Sequence, residues 1–171
     1  MRKTLIIVGA LAVAWLTILG ADAIVANYEY ENMVLSYWNL ADKASTIPQK
    51  SEYLDRFVVA LGSAQLPDHA AILLKTPDND VSQNMLALKS LQGRLHEIQG
   101  MDVQSFQYQQ AIQQITAQEQ GEASNMLAVF ENAWYLSHHF FLYDWIGEVL
   151  FLGLGIIAVG AFLGAAAVGE D

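Results

Sequence analysis

Apolar positions along this chain fall into three regimes. After Met1-Arg2-Lys3 an apolar run extends from Leu5 to Ala21, is interrupted by Asp22, and resumes through Ala23 to Ala26. At the other end Val149 to Val168 contains no charged residue. Between these stretches apolar residues recur every three or four positions, the spacing that lays one greasy stripe along an amphipathic helix.

Each end segment has the length a bilayer demands. A hydrocarbon core is crossed by about 20 helical residues rising ~1.5 Å each. Residues 1–26 therefore read as an N-terminal transmembrane anchor. The same residues also fit a signal peptide with Ala21-Asp22-Ala23 at its cleavage site, although the apolar stretch outlasts a usual signal core. Residues 145–171 read as a C-terminal transmembrane helix with a very short tail. Tyr28 and Tyr30 follow the first span, and Phe140, Phe141, Tyr143 and Trp145 precede the second. Amphipathic rings favour the headgroup layer, so these six residues are expected at one membrane interface. Arg2 and Lys3 are the basic residues that flank the spans, which places both termini in the cytoplasm and residues 27–144 outside a cell or envelope membrane.

The middle region predicts helices with recognisable ends. Asn27 to Ala44 carries no breaker and should prolong the first span. Thr46 and Gln49 have capping-box spacing, with Pro48 tolerated in the first turn. Leu54, Phe57, Val58 and Leu61 then form one stripe. Pro67 and Pro77 make residues 62–80 irregular, and the pattern leaves Ala70 to Leu74 open between a short helix and an extended piece. Asp80 and Gln83 repeat the capping spacing ahead of Val81, Met85, Leu88, Leu91, Leu95 and Ile98, and Gly100 closes that helix. From Gln104 onward Tyr108, Ile112, Ile115, Met126, Val129 and Ala133 hold one face, and the pattern predicts a single helix of about 60 residues, on the order of 90–100 Å, running into the second span. Gly121 and Gly147 are its candidate bends. The expected fold is all-α: two transmembrane helices continuous with an external antiparallel helical domain, four-helix-bundle-like, over residues 27–144.

That layout resembles the external four-helix sensor domain of bacterial chemoreceptors, across the whole chain and without a shared motif. The resemblance implies a ligand held between bundle helices and a shift passed along the helices that enter the membrane. The inner tails, Met1 to Lys3 and Gly169 to Asp171, are too short for an output domain, so a partner protein would have to read that shift.

Composition narrows the function. Charged residues make up 15 % of the chain and the net charge is −10. Arg94 is the last basic residue, so no basic surface exists for nucleic acid, and anionic headgroups are poorly matched. The chain has no cysteine, which removes thiolate metal sites and thiol catalysis.

Candidate chemistry is sparse. Glu119 and Glu122 share the stripe of Ile112, Ile115, Met126 and Val129, and a carboxylate pair at this spacing is how helical bundles hold metals. The Glu-x-x-His pairs of such sites do not occur, and a polar layer paired with Arg94, Lys89 or Arg56 serves equally well. His138 and His139 are adjacent, so on a helix they point ~100° apart and cannot share one ion; the other reading is a proton-sensing role, the task to which histidine as a residue type is suited. His96-Glu97 opens like a zinc-protease motif, but Gly100 stands where the second histidine belongs. His69 beside Asp68 reads as a surface residue. Asp22 and Glu148 mark the span edges. Gly153, Gly160 and Gly164 form a small-residue face for close helix packing, with the first span or with another subunit. The glutamines at 109, 110, 113, 114, 118 and 120 supply either hydrogen bonds to neighbours or a solvated face. The expectation is a non-catalytic membrane protein without metal or cofactor, an interaction subunit contacting other membrane subunits or itself; the alternative is a sensor-like ligand-binding bundle.

Overall fold

The computed structural model describes residues 1–167, with the side chains of 116–122 and of 144 outside the description. Every regular element among the described residues is helical. In chain order these are α1 (Arg2–Tyr30), a π-helical turn (Glu31–Leu35), α2 (Ser36–Asp42), α3 (Ile47–Ser63), α4 (Val81–Gln99), α5 (Phe106–His138) and α6 (Asp144–Ala167). Short 3-10 turns occupy Pro77–Asn79 and Phe140–Leu142. The chain divides into two compact units, one formed by residues 1–27 with 138–171 and the other by residues 28–137.

The first unit pairs the two apolar helices. Arg2–Asp42, taken as one helical run, and Trp145–Ala167 are long and apolar enough to cross a membrane. Their outward-facing residues include Ile6, Leu11, Ile18, Leu152, Ile156 and Leu163. The inward face of α6 is a stripe of small residues, Ala158, Ala161 and Ala165. Gly9 lets α1 come close here, because a Cβ at that position would lie 3.2 Å from the Phe162 ring and 3.3 Å from Ala161 Cβ. Gly164 faces Leu5, whereas a Cβ on Gly153 or Gly160 would meet nothing within 4 Å. Of the three glycines that the sequence marks for close packing, Gly164 is the one whose added Cβ would meet the first helix.

The second unit is organised by stripes. Leu54, Phe57 and Leu61 of α3, Leu88, Leu91 and Leu95 of α4, Ile115, Met126, Phe130 and Trp134 of α5, and Tyr30 and Val34 from the end of the first helical run form one buried cluster. Rings join the elements: Trp38 lies 5.5 Å from Phe57, and Phe57 lies 6.3 Å from Phe130 in an edge-to-face arrangement. The caps follow the sequence. Thr46 Oγ1 accepts from the Gln49 amide at 3.4 Å and Asp80 Oδ1 from the Gln83 amide at 3.0 Å, each satisfying an amide that helix geometry leaves unpaired.

Two features depart from the sequence expectation. Residues 31–35 are π-helical, with the Ser36 amide reaching back five residues to the Glu31 carbonyl. The expected 60-residue helix is also two helices. Helix α5 stops at His138, His139 leaves the helical region at φ −135° and ψ 58°, and α6 starts at Asp144. Gly147 is the reason the turn can be so tight: a Cβ there would lie 3.2 Å from the Leu142 backbone. The second apolar helix is therefore not continuous with the domain helix that precedes it. Residues 70–74 form neither helix nor strand; Ala70 is buried while Leu73 and Leu74 are exposed.

Candidate functional site

Five places in the molecule gather side chains capable of binding or chemistry. The first is an apolar cleft of about 650 Å³ between two turns. One turn joins α2 to α3, where Thr46 caps and Pro48 opens the helix. The other joins α4 to α5, where Asp102 Oδ1 accepts from the Gln104 amide and Ser105 Oγ from the Tyr108 amide. These caps hold Ile47, Ile98, Met101, Tyr108 and Ile112 around a floor that includes Ile115. Beside the cleft Val103 is 63 % and Phe106 79 % exposed. Val103 lies in the turn and Phe106 opens α5, and helical periodicity gives neither an apolar partner.

The second is a half-open groove of about 830 Å³. Trp38 and Leu91 give it an apolar wall, Met126 and Val129 of α5 line the facing side, and Asn84 and Asn125 supply amides.

The third is an aromatic and acidic cluster at the π-helical turn. Tyr30 packs 5.9 Å from Trp134 and 6.4 Å from Tyr135. Its hydroxyl is buried without a hydrogen-bond partner among the described residues. Burial, with Glu131 and Tyr135 nearby, pushes the Tyr30 hydroxyl far above its ordinary range. The Glu131 carboxyl is raised by partial burial and then by Glu31, and Tyr135 is raised by burial, Glu131 and Glu31. Tyr30 is thus part of the buried core of the helical unit. Tyr143 is likewise buried, whereas Tyr28, Phe140, Phe141 and Trp145 do present exposed rings.

The fourth is a polar line between α3 and α4. Ser51 Oγ lies 3.4 Å from His96 Nδ1, His96 Nε2 lies 2.9 Å from Asp55 Oδ1, and Gln92 Nε2 donates to the same oxygen at 2.7 Å. Serine, histidine and aspartate in a row suggest nucleophilic catalysis. The hydroxyl argues otherwise, because Ser51 is 1 % exposed and no substrate reaches it. The spacing explains the arrangement: Ser51 and Asp55 are one turn apart on α3, Gln92 and His96 one turn apart on α4, so the two pairs face each other as an interhelical clamp. In the sequence His96 stands in an incomplete zinc-protease motif, and helical spacing alone carries no signal that pairs it with Ser51 or Asp55.

The fifth lies in the hairpin unit. His139 Nδ1 sits 3.0 Å from Asp22 Oδ1, linking α1 to the segment that precedes α6. The histidine side chain is 11 % exposed and the aspartate 38 %. His138, its neighbour, is exposed and Glu148 is exposed as well. His69 is half-buried, with Nε2 4.0 Å from Asp80 Oδ2. The Glu119 and Glu122 side chains lie outside the described residues. Among the described residues no three His, Cys, Asp or Glu side chains converge as metal ligands would.

No known protein family model, curated protein or solved structure matches this chain.

Proposed function

We propose that this chain is a non-catalytic integral membrane protein, an interaction subunit that spans the bilayer with the part of α1 up to residue 26 and with α6, and docks a partner protein through an external antiparallel helical bundle. The observation that carries the reading is the apolar cleft walled by Ile47, Ile98, Met101 and Tyr108, with Val103 and Phe106 exposed beside it. An apolar patch of this kind on a water-facing domain marks a surface that another protein covers. Arg2 and Lys3 orient the termini inward and the domain outward. The buried state of Ser51 supports the non-catalytic part. Gly153 and Gly160 have open space beside them in α6, and that face suits a second membrane helix, from another subunit or another copy.

The test is purification from native membranes in mild detergent, with wild type beside a Val103→Asp, Phe106→Asp variant. Both residues are largely exposed, so the variant keeps its fold. The expected result is a copurifying protein, or self-association, that the variant loses. An unchanged set of associated proteins overturns the docking surface.

A second reading is favoured by the groove beside Trp38. Its volume and its mixture of one large ring with amides suit a small ligand, as a sensor bundle would hold. Quenching of tryptophan fluorescence by a small molecule, lost in Trp38→Phe, would support it.

A further inference from the structure

We propose that the loop joining α3 to α4 seats the helical domain on the membrane, with Leu73 and Leu74 inserted among the outer lipids and Lys75 at headgroup level. The proposal rests on the two-span reading above and identifies a second surface, whose partner is the bilayer.

The position of the loop within the helical unit follows from its contacts. The Trp38 ring meets Phe57, so α3 runs antiparallel to α2 after the turn at residues 43–46. From Trp38 back to Tyr28 is ten residues, and from Phe57 forward to Ala64 is seven, which correspond to about 15 and about 10 Å of helix. The end of α3 therefore returns toward the level at which this unit begins. Asp55 meets Gln92 and His96, so the start of α4 lies at that same end. Tyr30 against Trp134 places the last turns of α5 there too. Residues 64–80 thus occupy the end of the helical unit from which the chain passes into the two apolar helices. The cleft with Val103 and Phe106 is at the opposite end.

The loop is built to hold its leucines outward. His69 pairs with Asp80 across its base, the Ala70 amide donates to the Asn79 carbonyl at 2.8 Å, and the Val81 amide donates to the Asp68 carbonyl at 2.9 Å. The Asn79 side chain ties the tip, donating to the Leu74 carbonyl at 2.6 Å and accepting from the Thr76 amide at 3.1 Å. Ala70 is packed inward at 6 % exposure, while Leu73 and Leu74 are 79 % and 80 % exposed. Two adjacent leucines pinned outward at the end that leads into the apolar helices match a short interfacial insertion. The Lys75 stem can lie along acyl chains while its ammonium reaches the phosphate layer.

The chain contains no cysteine, so single nitroxide labels can be attached without altering native thiols. Full-length protein carrying Leu73→Cys, Leu74→Cys, Val103→Cys or Ile156→Cys is labelled and reconstituted in vesicles of phosphatidylcholine with phosphatidylglycerol. Collision rates with oxygen and with a water-soluble nickel chelate are then compared. The expected result is an oxygen preference at 73 and 74 several-fold above that at 103 and approaching that at 156. If 156 is lipid-like and 73 and 74 match 103, the loop stands in water and the proposal falls while the spans survive. Exclusion of both reagents at 73 and 74 means protein covers them, and also overturns it. Water-like behaviour at all four positions removes the two-span reading and this proposal with it.

Discussion

Glu131 shows how one residue can carry a conflict that the fold tolerates. It stands near Glu31 and against the ring cluster of Tyr30 and Tyr135, and burial followed by the Glu31 charge raises its pKa. A carboxyl raised in the folded state binds its proton more tightly there than in the unfolded chain. The associated stability is present below the unfolded value of about 4.3 and is lost as pH rises through the higher folded value. At neutral pH the charged form is therefore a burden. Glu131→Gln is expected to raise the thermal midpoint of the helical domain at pH 7, with the advantage over wild type shrinking toward pH 4. Circular dichroism melts of both proteins across that range measure it. A constant difference at all pH values would show that the charge is not responsible.

At the scale of elements, two close approaches depend on glycine. Helix α6 begins against the preceding turn because Gly147 offers no Cβ to the Leu142 backbone, 3.2 Å away. Gly147→Val should open this elbow, since backbone cannot yield as a side chain can. The measurement is chymotrypsin cleavage in mild detergent at Phe140 and Phe141, whose rings are already exposed; cutting there should quicken several-fold relative to wild type. Gly9 is the second case. A leucine at position 9 would collide with Phe162 and Ala161 and drive α1 from α6. Cysteines placed at Leu5 and Gly164, in contact across the hairpin, should crosslink readily in the parent and poorly with Gly9→Leu added. Equal yields would mean that the helices pack by another face.

On the scale of the whole molecule, two units of opposite character share one chain. One shows leucines, isoleucines and phenylalanine outward along its helices, and the other encloses a core of rings and aliphatic side chains while leaving Leu73, Leu74, Val103 and Phe106 exposed. Two helices with outward apolar faces are long and apolar enough to cross a membrane, and the proposed topology puts the other unit in water. A membrane-impermeant maleimide applied to intact cells should label cysteines introduced at Val59 and Val103, and should leave one introduced at Lys3 unlabelled until the membrane is broken. Labelling at Lys3 in intact cells would reverse the proposed orientation.

What the sequence determined by itself is whatever depends on neighbours within a turn or two. The stripes of α3 and α4, the caps at Thr46 and Asp80, the stop at Gly100 and the two apolar lengths all follow from helical period, local hydrogen bonds and a count of greasy residues. Tertiary structure decided the rest, because the deciding partners are far apart along the chain. The inward turn of Tyr30 needs Trp134 and Tyr135. The Ser51, Asp55 and His96 clamp needs residues 41 or more positions apart, and the Asp22–His139 link joins residues 117 apart. The break after His138 eluded the pattern because periodicity records which face is apolar. It does not record whether the backbone between two such stretches stays helical, and here the helix ends at His138 and restarts at Asp144, with Gly147 packed close on the Leu142 backbone.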